Sequence, residues 1–116
     1  MITEPRLKVV FYKSTTGKEP VREWLKLLPL PDKKTLGEDI KTVQFGWPLG
    51  MPVVRKLENS LWEVRSNTSN GIARVLFTVH AGYMILLYGF VKKSAKTPLD
   101  DLTLARKRLA QVRGER

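Results

Sequence analysis

The stretch Leu61-Trp62-Glu63-Val64-Arg65, Ser66-Asn67-Thr68-Ser69-Asn70-Gly71, Ile72-Ala73-Arg74-Val75-Leu76-Phe77-Thr78-Val79 decides the fold. Its first part alternates with the period of two that a half-buried strand requires, its middle is rich in turn formers, and its last part is a β-branched return strand. Together they read as a β-hairpin. Beyond it, His80-Ala81-Gly82 is a second tight connection, with His80 as an exposed turn residue. Tyr83 to Val91 is apolar on both faces, as a central strand covered on both sides would be. Closing the hairpin about Thr68 and Ser69 sets Glu63 opposite Arg74 and gathers Glu63, Arg65 and Arg74 on one patch. An exposed pair of this kind stabilises a sheet by only ~0.2–1 kcal/mol, so spacing alone fits a solvated surface as well as a working site.

Upstream, Leu7 to Tyr12 reads as a first strand ending at the turn cluster Lys13 to Gly17. Val21, Trp24, Leu25 and Leu28 recur at helical spacing after Pro20, so a short helix over 20–28 is predicted, stopped by Pro29 and Pro31. Asp32 is the expected cap of a second helix over 32–45, with Leu36, Ile40 and Val43 as its apolar stripe. Met51 to Leu57 fits either a short strand or an extended lead-in. Downstream, Thr97 is the expected N-cap of a helix over 98–112, with Pro98 at its first position and Asp100-Asp101 at the positive end of its dipole. The sum is one α+β domain over 1–116, a small curved antiparallel sheet packed against two N-terminal helices and a C-terminal helix.

Composition narrows the chemistry. Among 116 residues there is no Cys and one His, which excludes disulfides, thiolate metal sites, cysteine nucleophiles and multi-histidine centres. No metal or cofactor is expected. The net charge is +10, split as +3 over residues 1–54 and +7 over residues 55–116. A basic excess of this size suits contact with a phosphate backbone, although a solvated basic surface has the same composition. Residues 1–10 lack the apolar core of a signal peptide, and the apolar run Ala81 to Val91 is too short to cross a bilayer, so a cytoplasmic protein without a membrane partner is expected. Lys92, Lys93 and Lys96 crowd the exit of the central strand ahead of a helix start, a place where an anion is attracted and where solubilising lysines are also common.

These segments carry a resemblance. Arg55-Lys56-Leu57, "LWEVR" at 61–65, Ile72 to Phe77 and "GFVKKSAKTP" at 89–98 together resemble the RelE/HigB toxin superfamily, and most of all its phage-derived HigB-like branch. The resemblance covers about residues 51–112; residues 7–47 fit it only as a compatible strand and helix pair. It implies a type II toxin that cleaves mRNA, usually on the ribosome, without metal, by attack of a ribose 2′-OH on the neighbouring phosphate. It also implies a cognate antitoxin, of helix-turn-helix type in this branch. By the same resemblance Arg65, Arg74 and Lys93 are the basic catalytic residues, Arg74 being the one that contacts the scissile phosphate from the open face of the sheet. Lys56, Lys92, Lys96 and Arg106 are the expected RNA-binding residues.

The sequence departs from RelE itself at two positions, with Glu63 in place of a lysine and Leu99 in place of the catalytic tyrosine. Glu63 is then either a base or a carboxylate that orients Arg74, with Tyr88 as a further candidate for proton transfer. Two other readings share the fold or the charge: a ParE-like poison of DNA gyrase without ribonuclease activity, and a non-catalytic RNA- or ribosome-binding module.

Overall fold

The computed structural model describes residues 4–114; residues 1–3, with which the signal-peptide reading begins, lie outside them. The described elements are β1 (Lys8–Phe11), α1 (Pro20–Leu27), α2 (Leu30–Gly46), β2 (Val54–Glu58), β3 (Leu61–Thr68), β4 (Gly71–His80), β5 (Tyr83–Lys92) and α3 (Leu99–Val112). The five strands form one sheet in the order β1-β5-β4-β3-β2. Strands β2 to β5 make an antiparallel meander, as the hairpin signals predicted, and Met51 to Leu57 does supply a strand. β1 departs from the antiparallel expectation: it runs parallel to β5, Lys8 pairing with Tyr83 and Phe11 with Leu86. Two helices lie between β1 and the meander, so the chain has the length it needs to cross back and enter in the same direction.

Period-two alternation sends the sheet's residues to two different neighbours. One face carries Val64, Ala73, Val75, Phe77, Met84 and Leu86 against Val21, Leu36, Ile40 and Val43 of α1 and α2. Trp62 and Phe77 stack there, and Trp47 meets both edge-on with centroids at 5.0 and 5.7 Å. Ser66 donates to Asp39 Oδ2 at 2.5 Å and ties β3 to α2. The opposite face carries Leu61, Leu76, Leu87 and Phe90 against Ala105 and Leu109 of α3. β5, in the middle of the sheet, is therefore covered on both sides.

Helix boundaries differ from the sequence expectation where proline is concerned. α2 begins at Leu30, with Pro31 inside its first turn, where the missing N–H has no acceptor to lose. Asp32 is thus a buried acidic residue of the first turn, set near the positive end of the dipole, and not the cap. α3 begins at Leu99 with Pro98 at the N-cap, because the Thr97 hydroxyl is spent elsewhere.

Candidate active site

The hairpin of β3 and β4 closes through Ser69 and Asn70, with Thr68 paired to Gly71 at φ +137°. Its register is displaced from the sequence expectation, so Arg65 lies opposite Arg74 and Glu63 opposite Leu76. The displacement is two residues along the partner strand. A shift of two preserves the face of every side chain, and Glu63, Arg65 and Arg74 still share one side of the sheet. Arg55 of β2, paired with Glu63, joins them.

This group sits beside the N-terminal end of α3, under the connection 93–98. Arg74 and Glu63 are both 0% exposed, which corrects the expectation of an Arg74 on an open face. The Arg74 guanidinium donates to the Ser94 carbonyl through Nη2 and to the Lys96 carbonyl at 2.9 Å through Nη1, and it lies 5.6 Å from the centroid of Phe90. Its Nε has no hydrogen-bond partner. Burial pushes the Arg74 pKa below its ordinary value; the nearby Arg65 and Arg55 push the same way, while Glu63 and Asp101 oppose them. With so high a starting pKa the group remains charged at neutral pH. A buried cation against a buried carboxylate is a fixed electrostatic element of the fold.

Glu63 is held from two sides. Its Oε2 accepts from the Thr97 hydroxyl at 2.6 Å, and its Oε1, without a hydrogen bond, is 3.7 Å from Arg65 Nε. The carboxylate is thus placed to orient Arg65, whose side chain is partly exposed. Arg65 and Arg55 reach the same acceptor, the Ala95 carbonyl, at 3.4 and 3.5 Å.

The lysines divide. Lys92 Nζ lies 2.5 Å from Asp101 Oδ2 and 5.4 Å from the centroid of Phe90, on whose ring Arg74 also lies. Lys93 and Lys96 are exposed on the connection itself. Lys56 pairs with Trp62 and so projects from the face of the sheet opposite Arg55, away from the cluster. Arg106 is joined to Glu58 by two hydrogen bonds of 2.8 Å, and this pair lowers the Glu58 pKa and raises its own. Tyr88 is unsuited to proton transfer near neutrality: burial first, then its hydrogen bond to Asp101, pushes its pKa up to about 12. The sequence reading passed over Arg55, Thr97 and Asp101 as members of the site. The period of two in Val54-Arg55-Lys56-Leu57 was the available signal for Arg55, had the pairing of β2 with β3 been fixed.

Residues 23–110 match the family model for phage-derived Gp49-like proteins (DUF891). The chain belongs to this family. Gp49-like proteins form a RelE-like toxin family within the RelE/ParE-like clan, and membership implies a cognate antitoxin as partner. No curated protein sequence matches the chain. No helix among the described residues is long and apolar enough to cross a membrane.

Proposed function

We propose that this Gp49-like chain is the toxin of a type II toxin–antitoxin pair, of HigB-like type, and that it cleaves mRNA on the ribosome without a metal ion. The observation that carries the reading is the partly exposed Arg65, oriented by the buried Glu63 and backed by the buried Arg74 on the α3 face of the sheet, in a chain of a RelE-like toxin family. In the reaction the ribose 2′-oxygen bonds to the adjacent phosphorus and the bond from phosphorus to the 5′-oxygen breaks. A 2′,3′-cyclic phosphate and a free 5′-OH result, the 2′-OH proton leaving and the 5′-oxygen gaining one. Negative charge accumulates on the non-bridging oxygens at the pentacoordinate stage, and a guanidinium fixed in advance stabilises that stage more than the substrate.

Arg65 meets the phosphate, with the exposed Lys93 and Lys96 of the connection as further point charges. Glu63 is too enclosed to reach a substrate hydroxyl, and its role is to orient Arg65. Arg74 contributes its field from below. Arg65→Ala should reduce cleavage of translated mRNA, read by primer extension, by on the order of 10²–10³, the loss typical of one donor to a developing oxyanion. Undiminished cleavage would reject the assignment. A growth arrest accompanied by DNA-damage signalling with translation intact would point to a gyrase poison instead.

A further inference from the structure

The Ala95 carbonyl receives two guanidiniums, yet both contacts lie at the outer limit of hydrogen-bond length. The two flanking carbonyls, of Ser94 and Lys96, are held by the buried Arg74. Arg74 thus pins the connection on either side of Ala95, while Arg55 and Arg65 remain weakly engaged around one oxygen. A non-bridging phosphate oxygen is a stronger acceptor for such a pair than a peptide carbonyl, because the bond is then assisted by charge on both sides. Arg55 is also the wall of an adjoining open groove of about 470 Å³, lined besides by Leu57, Lys96, Thr97, Pro98, Leu99 and Leu102. Its floor is apolar, and Leu99 is 69% exposed in the first turn of α3. Cations at the rim and an uncovered apolar floor match one nucleotide of a single strand, phosphate at the rim and base on the floor.

We infer that Arg55 and Arg65 form a phosphate clamp, now occupied by the Ala95 carbonyl, and that the groove from Arg55 to Leu99 is the subsite for the base of the nucleotide so held. This rests on the ribonuclease reading above and extends it by a residue and a subsite. The test uses a single-stranded RNA of about eight nucleotides, 2′-O-methylated so that it cannot be cut, titrated at several salt concentrations against wild type, Arg55→Ala, Arg55→Lys and Leu99→Ala. Loss of one phosphate contact should weaken binding about tenfold at low salt and reduce the slope of log K against log salt by about 0.7. Arg55→Lys should keep most of the slope, since it keeps the charge. Leu99→Ala should weaken binding roughly fivefold with the slope unchanged, because it removes apolar contact and no charge. Wild type that binds the oligonucleotide and cleaves translated mRNA, while Arg55→Ala equals it in affinity and slope, would overturn the subsite and leave the ribonuclease reading standing. Wild type that ignores the oligonucleotide would overturn the subsite, and failure to cleave translated mRNA as well would overturn both readings.

Discussion

The two faces of the sheet solve the burial problem in opposite ways. Against α1 and α2 the contacts are aliphatic and aromatic, from Leu36 to the Trp47, Trp62 and Phe77 cluster. Against α3 and the connection 93–98, an apolar patch around Leu76 and Leu87 gives way to Arg74, Glu63, Lys92 and Asp101. The first face gains stability from every methylene removed from water. The second spends part of that gain on desolvating charges, and such expense is common where an electrostatic arrangement must be held ready. The difference teaches where to look for function: on the face whose packing an apolar substitute could improve.

The sharpest way to break the contrast is to remove the buried cation. Arg74→Ala strips donors from the Ser94 and Lys96 carbonyls and leaves Glu63 without its enclosed counter-charge, so a cost of about 3–5 kcal/mol is expected. Urea denaturation should show it as a large fall in midpoint. The sequence pattern puts Arg74 on an open face, where a charge pair stabilises little; its burial reverses that expectation. A paired Glu63→Gln, Arg74→Met variant should recover most of the stability and none of the proposed mRNA cleavage, and a double variant no more stable than Arg74→Ala would show that the charges stabilise the fold after all.

On the apolar face the comparable test is Gly89→Ala. A Cβ there would press on the Trp24 ring, within 3.0 Å of its Cδ2. Overpacking of this kind costs about 1–3 kcal/mol, and a smaller residue at position 24 should relieve it. A Gly89→Ala midpoint equal to wild type would mean that the α1 face is looser than its packing suggests.

Alkaline titration sharpens the charged face further. Tyr88 should ionise near pH 12, after an unperturbed phenol, and Tyr88→Phe should abolish that late absorbance change at 295 nm. Because the folded pKa lies above the unfolded value near 10, the contribution of Tyr88 to stability is whole below pH 10 and is lost as pH rises toward 12. The smallest effect belongs to the exposed Arg106–Glu58 pair. Its depressed Glu58 pKa makes its contribution present above the unfolded carboxyl value of 4.5 and lost as pH falls below it, so Arg106→Ala and wild type should converge in midpoint in acid. A difference that persists at pH 2 would assign the effect to packing of the arginine stem.

Strand existence was legible because alternation in β3 and β4 is a local property of the chain. The shared face of Glu63, Arg65 and Arg74 survived the wrong register for the same reason, since a slip of two residues leaves the faces unchanged. What could not be read was depth. Whether an arginine on a strand meets water depends on the connection 93–98 folding over it, and nothing in Ile72-Ala73-Arg74-Val75 announces that cover. Thr97 misled in the same way: its place just before Pro98 suits a helix cap, while its hydroxyl serves a carboxylate distant in sequence.

The parallel pairing of β1 with β5 sets an order on synthesis. The hairpins from β2 to β5 join neighbours in sequence and can form as soon as they leave the ribosome, but Lys8 to Phe11 must wait for Tyr83 to Leu86. β1, made before the other four strands of this sheet, is thus among the last to be paired, and the connection that caps the arginine cluster emerges later still. A nascent chain therefore lacks both a complete sheet and an assembled cluster until the residues after β5 have left the ribosome, which separates in time the making of this sheet from any action of its arginine cluster.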